Sequence, residues 1–152
     1  ILTALNICEK AGLCFKKTKN SIKIDGKRTN SKKSISVNSY ESGFCARVFS
    51  VVLSNLFDNV TINGFGSAIN RSFNFSCLSQ LGLKINAKDL SLPVNIKGEI
   101  QSGEICIDAS DSSQLLSGLL ITLPFLDGDS SIYVKDFIVV LFPIFTFGPI
   151  TT

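Results

Sequence analysis

The chain has 152 residues, 45% of them hydrophobic and 18% charged, with a mean hydropathy of +0.33 and a formal net charge of +3. A chain of this size buries about 70% of the surface its unfolded form exposes, so the composition describes one folded domain with a real core and excludes a disordered segment. It also argues against a nucleic-acid surface: the basic residues fall in short pairs (Lys16-Lys17, Lys27-Arg28, Lys32-Lys33) with no aromatic platform beside them.

Leu2, Leu5 and Cys8 recur at helical spacing before Gly12, so the chain opens on a helix closed by a left-handed glycine. Ser21-Ile-Lys-Ile-Asp25 and Ser34-Ile-Ser-Val37 alternate as strands, an apolar helix runs from Ser42 to Phe57, and Val60-Thr-Ile-Asn63 is a further strand. After the Gly-rich loop Gly64 to Ala68 the series recurs. Phe75, Leu78 and Leu81 form a helix before Gly82; Leu92 to Ile96 and Glu104 to Ile107 are strands; Ser112 to Leu126 is an apolar helix; Ser131 to Val134 is a strand.

The two series match residue by residue. Gly12-Leu13 is repeated by Gly82-Leu83, Ile35 and Val37 by Ile105 and Ile107, Ser42 by Ser112, Leu53 and Leu56 by Leu123 and Leu126, and Ile62 by Ile132, each at an offset of 70. We expect two copies of one supersecondary unit, about 1–66 and 71–136, within a single domain 1–152 that ends in a divergent tail, 137–152. Helices apolar on nearly all sides and strands that alternate imply interior helices and outer sheets. Such a unit cannot bury its own apolar face, so more copies are expected. A chain that opens inside a helix pattern without Met reads as an incomplete first domain of something longer.

The five cysteines (8, 14, 45, 77, 106) form no C-x-x-C pair and histidine is absent, so a zinc site of the usual kind lacks ligands and no metal is expected. Without a signal peptide the cysteines read as small buried hydrophobes of a reducing, cytoplasmic protein. Phe137 to Phe147 is interrupted by Pro143 and falls short of the ~20 residues a membrane span needs, so no membrane partner is expected.

Ser112-Ser113-Gln114 stand between a strand and an apolar helix. Free backbone N–H groups and the positive end of the helix dipole meet there, and two hydroxyls and an amide added to them suit phosphate or carboxylate; the same residues also serve as a plain helix cap. Ser42-Gly43 occupy the equivalent place, where Gly43 either admits a ligand to the backbone or simply starts the helix. Arg47, one turn on, reaches an anion or pairs with Glu41. Arg71, beyond the Gly-rich loop, suits bidentate phosphate recognition or is an exposed loop charge. No catalytic constellation is visible. The usual triads need a histidine, and Asp25, Asp108 and Asp111 are scattered, Asp111 belonging to the cap.

In order, Ser91-Leu-Pro-Val-Asn-Ile-Lys-Gly98, Ser102-Gly103-Glu104-Ile-Cys-Ile-Asp108 and Ser112-Ser113-Gln114 resemble EPSP synthase, 3-phosphoshikimate 1-carboxyvinyltransferase. The resemblance runs from about Leu2 to Val134. It implies an α/β fold of repeated βαβαββ units with interior helices and outer sheets, the inside-out α/β barrel of the enolpyruvyl transferases. It implies transfer of the enolpyruvyl group of phosphoenolpyruvate to the 5-hydroxyl of shikimate 3-phosphate, with no cofactor. On it, Ser112 and Ser113 would bind the phosphate of shikimate 3-phosphate, Gln114 would reach both substrates, Gly43 and Arg71 would hold phosphoenolpyruvate, and Arg47 stands at the family's next arginine. Two positions depart from the pattern: Phe44 replaces a Thr, and Ser72 replaces the proline after Arg71. The acidic base, lysines and second set of arginines belong to a second domain missing here, so this chain alone is not expected to turn over. UDP-N-acetylglucosamine enolpyruvyl transferase shares the fold, but Ser-Ser-Gln argues against it. An alternative of another class is a non-catalytic paralogue or stand-alone anion-binding module.

Overall fold

The computed structural model describes residues 1–28, 33–108 and 113–135. In chain order these form α1 (Leu2–Lys10), β1 (Leu13–Lys17), β2 (Ile22–Arg28), β3 (Ser34–Asn38), α2 (Gly43–Ser54), β4 (Asn59–Asn63), β5 (Lys84–Ala87), β6 (Val94–Lys97), β7 (Glu104–Asp108), α3 (Ser113–Thr122) and β8 (Ser131–Lys135). Ser112, Asp111 and the tail 137–152 lie outside the described residues.

Parallel strands need a long crossover, and α2 supplies it for β3 and β4, which pair in parallel from Ser34↔Asn59 to Asn38↔Asn63. β6 then lies antiparallel to β4, and β5 antiparallel to β6, giving a four-stranded sheet in the order β3-β4-β6-β5. Its inner face is set by period two: Ile35, Val37, Val60, Ile62, Val94 and Ile96 are buried while their neighbours along each strand point outward. α2 lies in the core, with Cys45, Ala46, Val48, Val51 and Leu53 buried along it.

The same devices recur on either side of that sheet. β7-α3-β8 is a second parallel crossover, with Glu104↔Ser131 through Asp108↔Lys135, and β1-β2 is an antiparallel hairpin like β5-β6. The four-stranded sheet runs from Ser34 to Lys97, so it straddles the junction between the two sequence halves. α2 and α3 approach closely because residue 118 is glycine: a Cβ there would lie 3.1 Å from the Val48 carbonyl oxygen and 3.1 Å from Val51 Cγ2.

Several elements differ from the sequence expectation. β1 and β5 were not anticipated. Residues 76–81 form a 3₁₀ rather than an α-helix, and α3 stops at Thr122, the chain continuing as a 3₁₀ turn, Leu123–Phe125, where Pro124 cannot supply an N–H to the helix ladder. Gly12 and Gly82 do adopt positive φ, 95° and 84°. The outer side of α3 is less covered than that of an interior helix: Leu120 and Ile121 are 60% and 52% exposed. Of the cysteines only Cys45 is buried; the other four are half-buried, and none is in a disulfide. Burial, and then the neighbouring Cys45, push the Cys8 thiol above its ordinary pKa, which keeps it protonated. Among the described residues no helix is long and apolar enough to cross a membrane.

Candidate anion-binding site

The turn from β3 into α2 is held by side chains suited to it. Asn38 Oδ1 accepts from the Tyr40 backbone N–H at 2.7 Å, Tyr40 takes φ 51°, and the Ser42 N–H donates to the Ser39 carbonyl. Ser42 is then the N-cap of α2, its Oγ accepting from Cys45 N–H at 3.1 Å. This leaves other first-turn N–H groups of α2 without intrahelical acceptors, beside the positive end of the helix dipole.

Gly43 begins the helix and faces two guanidinium groups. A Cβ at that position would lie 2.8 Å from Arg47 Nη1 and 3.6 Å from Arg71 Nη1, with Phe73 Cε1 at 3.9 Å. Arg47 arrives from one turn along α2; Arg71 arrives from the loop after β4. Two cations therefore converge on one helix N-terminus at the residue with no side chain.

Each arginine is held in place. Arg47 Nη1 donates to Gln114 Oε1 at 3.4 Å, Nη2 donates to the Ser72 carbonyl at 3.3 Å, and its guanidinium carbon stands 4.6 Å over the Phe73 ring. Phe73 is buried and stacks on Phe75 with ring centroids 5.9 Å apart. Arg71 is exposed; its Nη2 donates to Ser67 Oγ at 3.2 Å, and the Ser67 N–H donates in turn to Glu41 Oε1 at 2.9 Å. Glu41 thus ties down the Gly-rich loop instead of pairing with Arg47.

The structure brings Gly43, Arg47, Arg71 and Gln114 together, Gln114 through Arg47. Ser113 opens α3 with an exposed side chain, its carbonyl accepting from Ser117 Oγ at 3.3 Å. Ser112 is outside the described residues. Phe44 is 49% exposed at the start of α2. Sequence reasoning missed Phe73, the platform under Arg47, and the Glu41-Ser67 link behind Arg71. Both depend on a loop folding back onto α2, for which no spacing in the sequence is a signal.

Known proteins resemble this chain in sequence and in fold. The family model for EPSP synthase (3-phosphoshikimate 1-carboxyvinyltransferase) matches residues 1–141. The chain is 30% identical over 118 residues to the 3-phosphoshikimate 1-carboxyvinyltransferase of Clostridium novyi, covering 76% of this chain and 27% of that protein. It is 29% identical over 125 residues to that of Clostridium kluyveri, covering 81% and 29%. Two solved structures of EPSP synthase from Acinetobacter baumannii superpose with TM-scores of 0.66 and 0.69 at 22% and 23% identity, covering 86% of this chain and 31% and 32% of theirs. That likeness shows the fold, an inside-out α/β barrel of which this chain forms a part. The chain spans less than a third of the length of these relatives.

Proposed function

Because the chain belongs to the EPSP synthase family, we propose that it supplies part of the substrate-binding half of a 3-phosphoshikimate 1-carboxyvinyltransferase. The parent reaction adds the 5-hydroxyl of shikimate 3-phosphate to phosphoenolpyruvate and then expels phosphate. Two polyanions must be held side by side for this, and oriented N–H groups and guanidiniums can hold them. Gly43 with Arg47 and Arg71 forms the phosphoenolpyruvate side; Ser112, Ser113 and Gln114 form the shikimate 3-phosphate side, with Gln114 bridging the two through Arg47. The proton-transferring groups come from a second domain in the parent protein. We infer a cytoplasmic setting for it.

The observation that carries the reading is the convergence of two guanidiniums, from separate elements, on the glycine at the start of α2. Titration of the chain with phosphoenolpyruvate and with shikimate 3-phosphate, followed by backbone amide shifts, tests it. Shifts at Gly43 to Cys45 with the first ligand and at Ser113 and Gln114 with the second are expected; silent amides at both places would refute it. If both ligands bind, joining the chain to a family second domain separates enzyme from binding module. Turnover favours the enzyme, and binding without turnover favours a non-catalytic anion-binding paralogue.

A further inference from the structure

Phe73 and Phe75 are buried on either side of the exposed Asn74, the alternation that turns both rings inward. Each is 1% exposed, and the two rings stack at an interplanar angle of 10°. Their segment is fastened at both ends. The Phe73 N–H donates to the Leu90 carbonyl at 2.6 Å, and Asn74 Oδ1 accepts from the Ser76 N–H at 3.1 Å. Rings packed into a core in this way form a fixed surface, because close-packed side chains have no room to shift.

The half-buried Arg47 rests on that surface. Its guanidinium carbon lies 4.6 Å from the Phe73 ring centroid, inside the roughly 6 Å over which a cation feels the negative face of an aromatic ring. Two consecutive residues thus address one arginine, Ser72 through its carbonyl and Phe73 through its ring. The hydrogen bonds to Gln114 and Ser72, 3.4 and 3.3 Å, exceed the usual range of roughly 2.7–3.2 Å, so neither is a tight restraint. A contact to the ring face adds a restraint without using an N–H donor. Phe73 Cε1 also lies 3.9 Å from where a Cβ on Gly43 would stand, so the ring borders the spot on which Arg47 and Arg71 converge. Being almost wholly covered, it has no face to offer a ligand and can act there only through Arg47.

On the reading that Arg47 binds phosphoenolpyruvate, we propose that Phe73 is a positioning residue of the site: its ring holds the Arg47 guanidinium at the N-terminus of α2 before the anion arrives. A long side chain that must be ordered by its ligand loses rotamer freedom at the moment of binding, and affinity falls accordingly. Arg47 laid on a buried ring loses that freedom when the chain folds. Phe73 therefore sets anion affinity without touching the anion.

The test is phosphoenolpyruvate titration of the 152-residue chain with Phe73 replaced site-specifically by mono-, di- and trifluorophenylalanine, which weaken the negative ring face while nearly keeping its size and burial. Affinity is expected to fall stepwise, by about threefold to tenfold at the trifluoro ring, with the urea midpoint almost unmoved. Phe73→Leu, which removes the ring outright, should lose at least as much affinity. The same replacements made in an Arg47→Met chain should cause no further loss, since an effect that runs through Arg47 vanishes with it. In the ligand-free chain the Arg47 side-chain protons should lose their ring-current shift in Phe73→Leu. Affinity indifferent to fluorination, an equal loss in the Arg47→Met background, or Arg47 protons that do not sense the ring would each overturn the proposal and leave the site reading standing. Arg47→Met binding as tightly as wild type, or a wild-type chain that does not bind, would refute the site reading and take the proposal with it.

Discussion

Gly43→Ala adds one methyl group at the point where a helix N-terminus and two arginines meet, and its effects on stability and on binding can be worked out separately. The new Cβ would stand 2.8 Å from Arg47 Nη1, too close to keep, and 3.6 Å from Arg71 Nη1, an ordinary contact. The atom that must move is the far end of a flexible side chain, so the fold yields cheaply. Weakening the long Arg47 to Gln114 hydrogen bond, 3.4 Å, costs about 0.5–1 kcal/mol. Removing a glycine's freedom from the unfolded chain returns about 0.4–1 kcal/mol, so net stability should change by less than about 1 kcal/mol. Binding has no such compensation. The methyl group occupies the approach to the first-turn N–H groups, and a lost hydrogen bond to a charged ligand is worth about 1.5–3 kcal/mol, or roughly tenfold to somewhat over a hundredfold in affinity. Urea unfolding and a phosphoenolpyruvate titration followed by amide shifts measure the two quantities. Unchanged affinity in a variant as stable as wild type would refute the assignment of Gly43 to the anion site.

Three further substitutions probe other contacts. Arg47→Lys removes the fork that reaches both Gln114 and the Ser72 carbonyl across the Phe73 ring, and should lower the urea unfolding free energy by about 1–2 kcal/mol while weakening phosphoenolpyruvate binding. Gly118→Leu forces a side chain against the Val48 carbonyl and Val51, and should cost about 2–3 kcal/mol, seen as a lower urea midpoint with an unchanged slope. Thr122 is buried and its Oγ1 has no hydrogen-bond partner among the described residues, so Thr122→Val should leave thermal stability unchanged or raise it by about 1 kcal/mol; a loss of that size would mean the hydroxyl is satisfied in solution.

Much of this fold could be read from residue patterns because its strands and helices are set by local periodicity. β3 alternates Ile35 and Val37 with serines, and α2 begins at a serine cap followed by glycine; both stand where the periodicity places them. β1 escaped notice because Leu-Cys-Phe-Lys-Lys is a short apolar run ending in charge, with an irregular register between Leu13 and Phe15. β5, Lys-Ile-Asn-Ala, is four residues long and is defined by its partner β6 more than by its own composition. In the site, the glycine and the arginines were visible as residue types at a helix start. The cation–π support under Arg47 was not, since Phe73 reaches it only when the loop after β4 folds back over α2. In sequence Glu41 stood only as a possible partner for Arg47, whereas in the fold it accepts from the Ser67 amide.

The four-stranded sheet between Ser34 and Lys97 borrows its crossover from one sequence half and its hairpin from the other. Courses of brick are laid the same way, each unit bridging the joint below. Lengthening such a chain by another 70 residues would complete one sheet and begin the next, always leaving a lone hairpin at the front and a lone crossover at the back. Growth therefore relocates the lone hairpin and the lone crossover without removing them; only bending the array round until front meets back gives every crossover a hairpin.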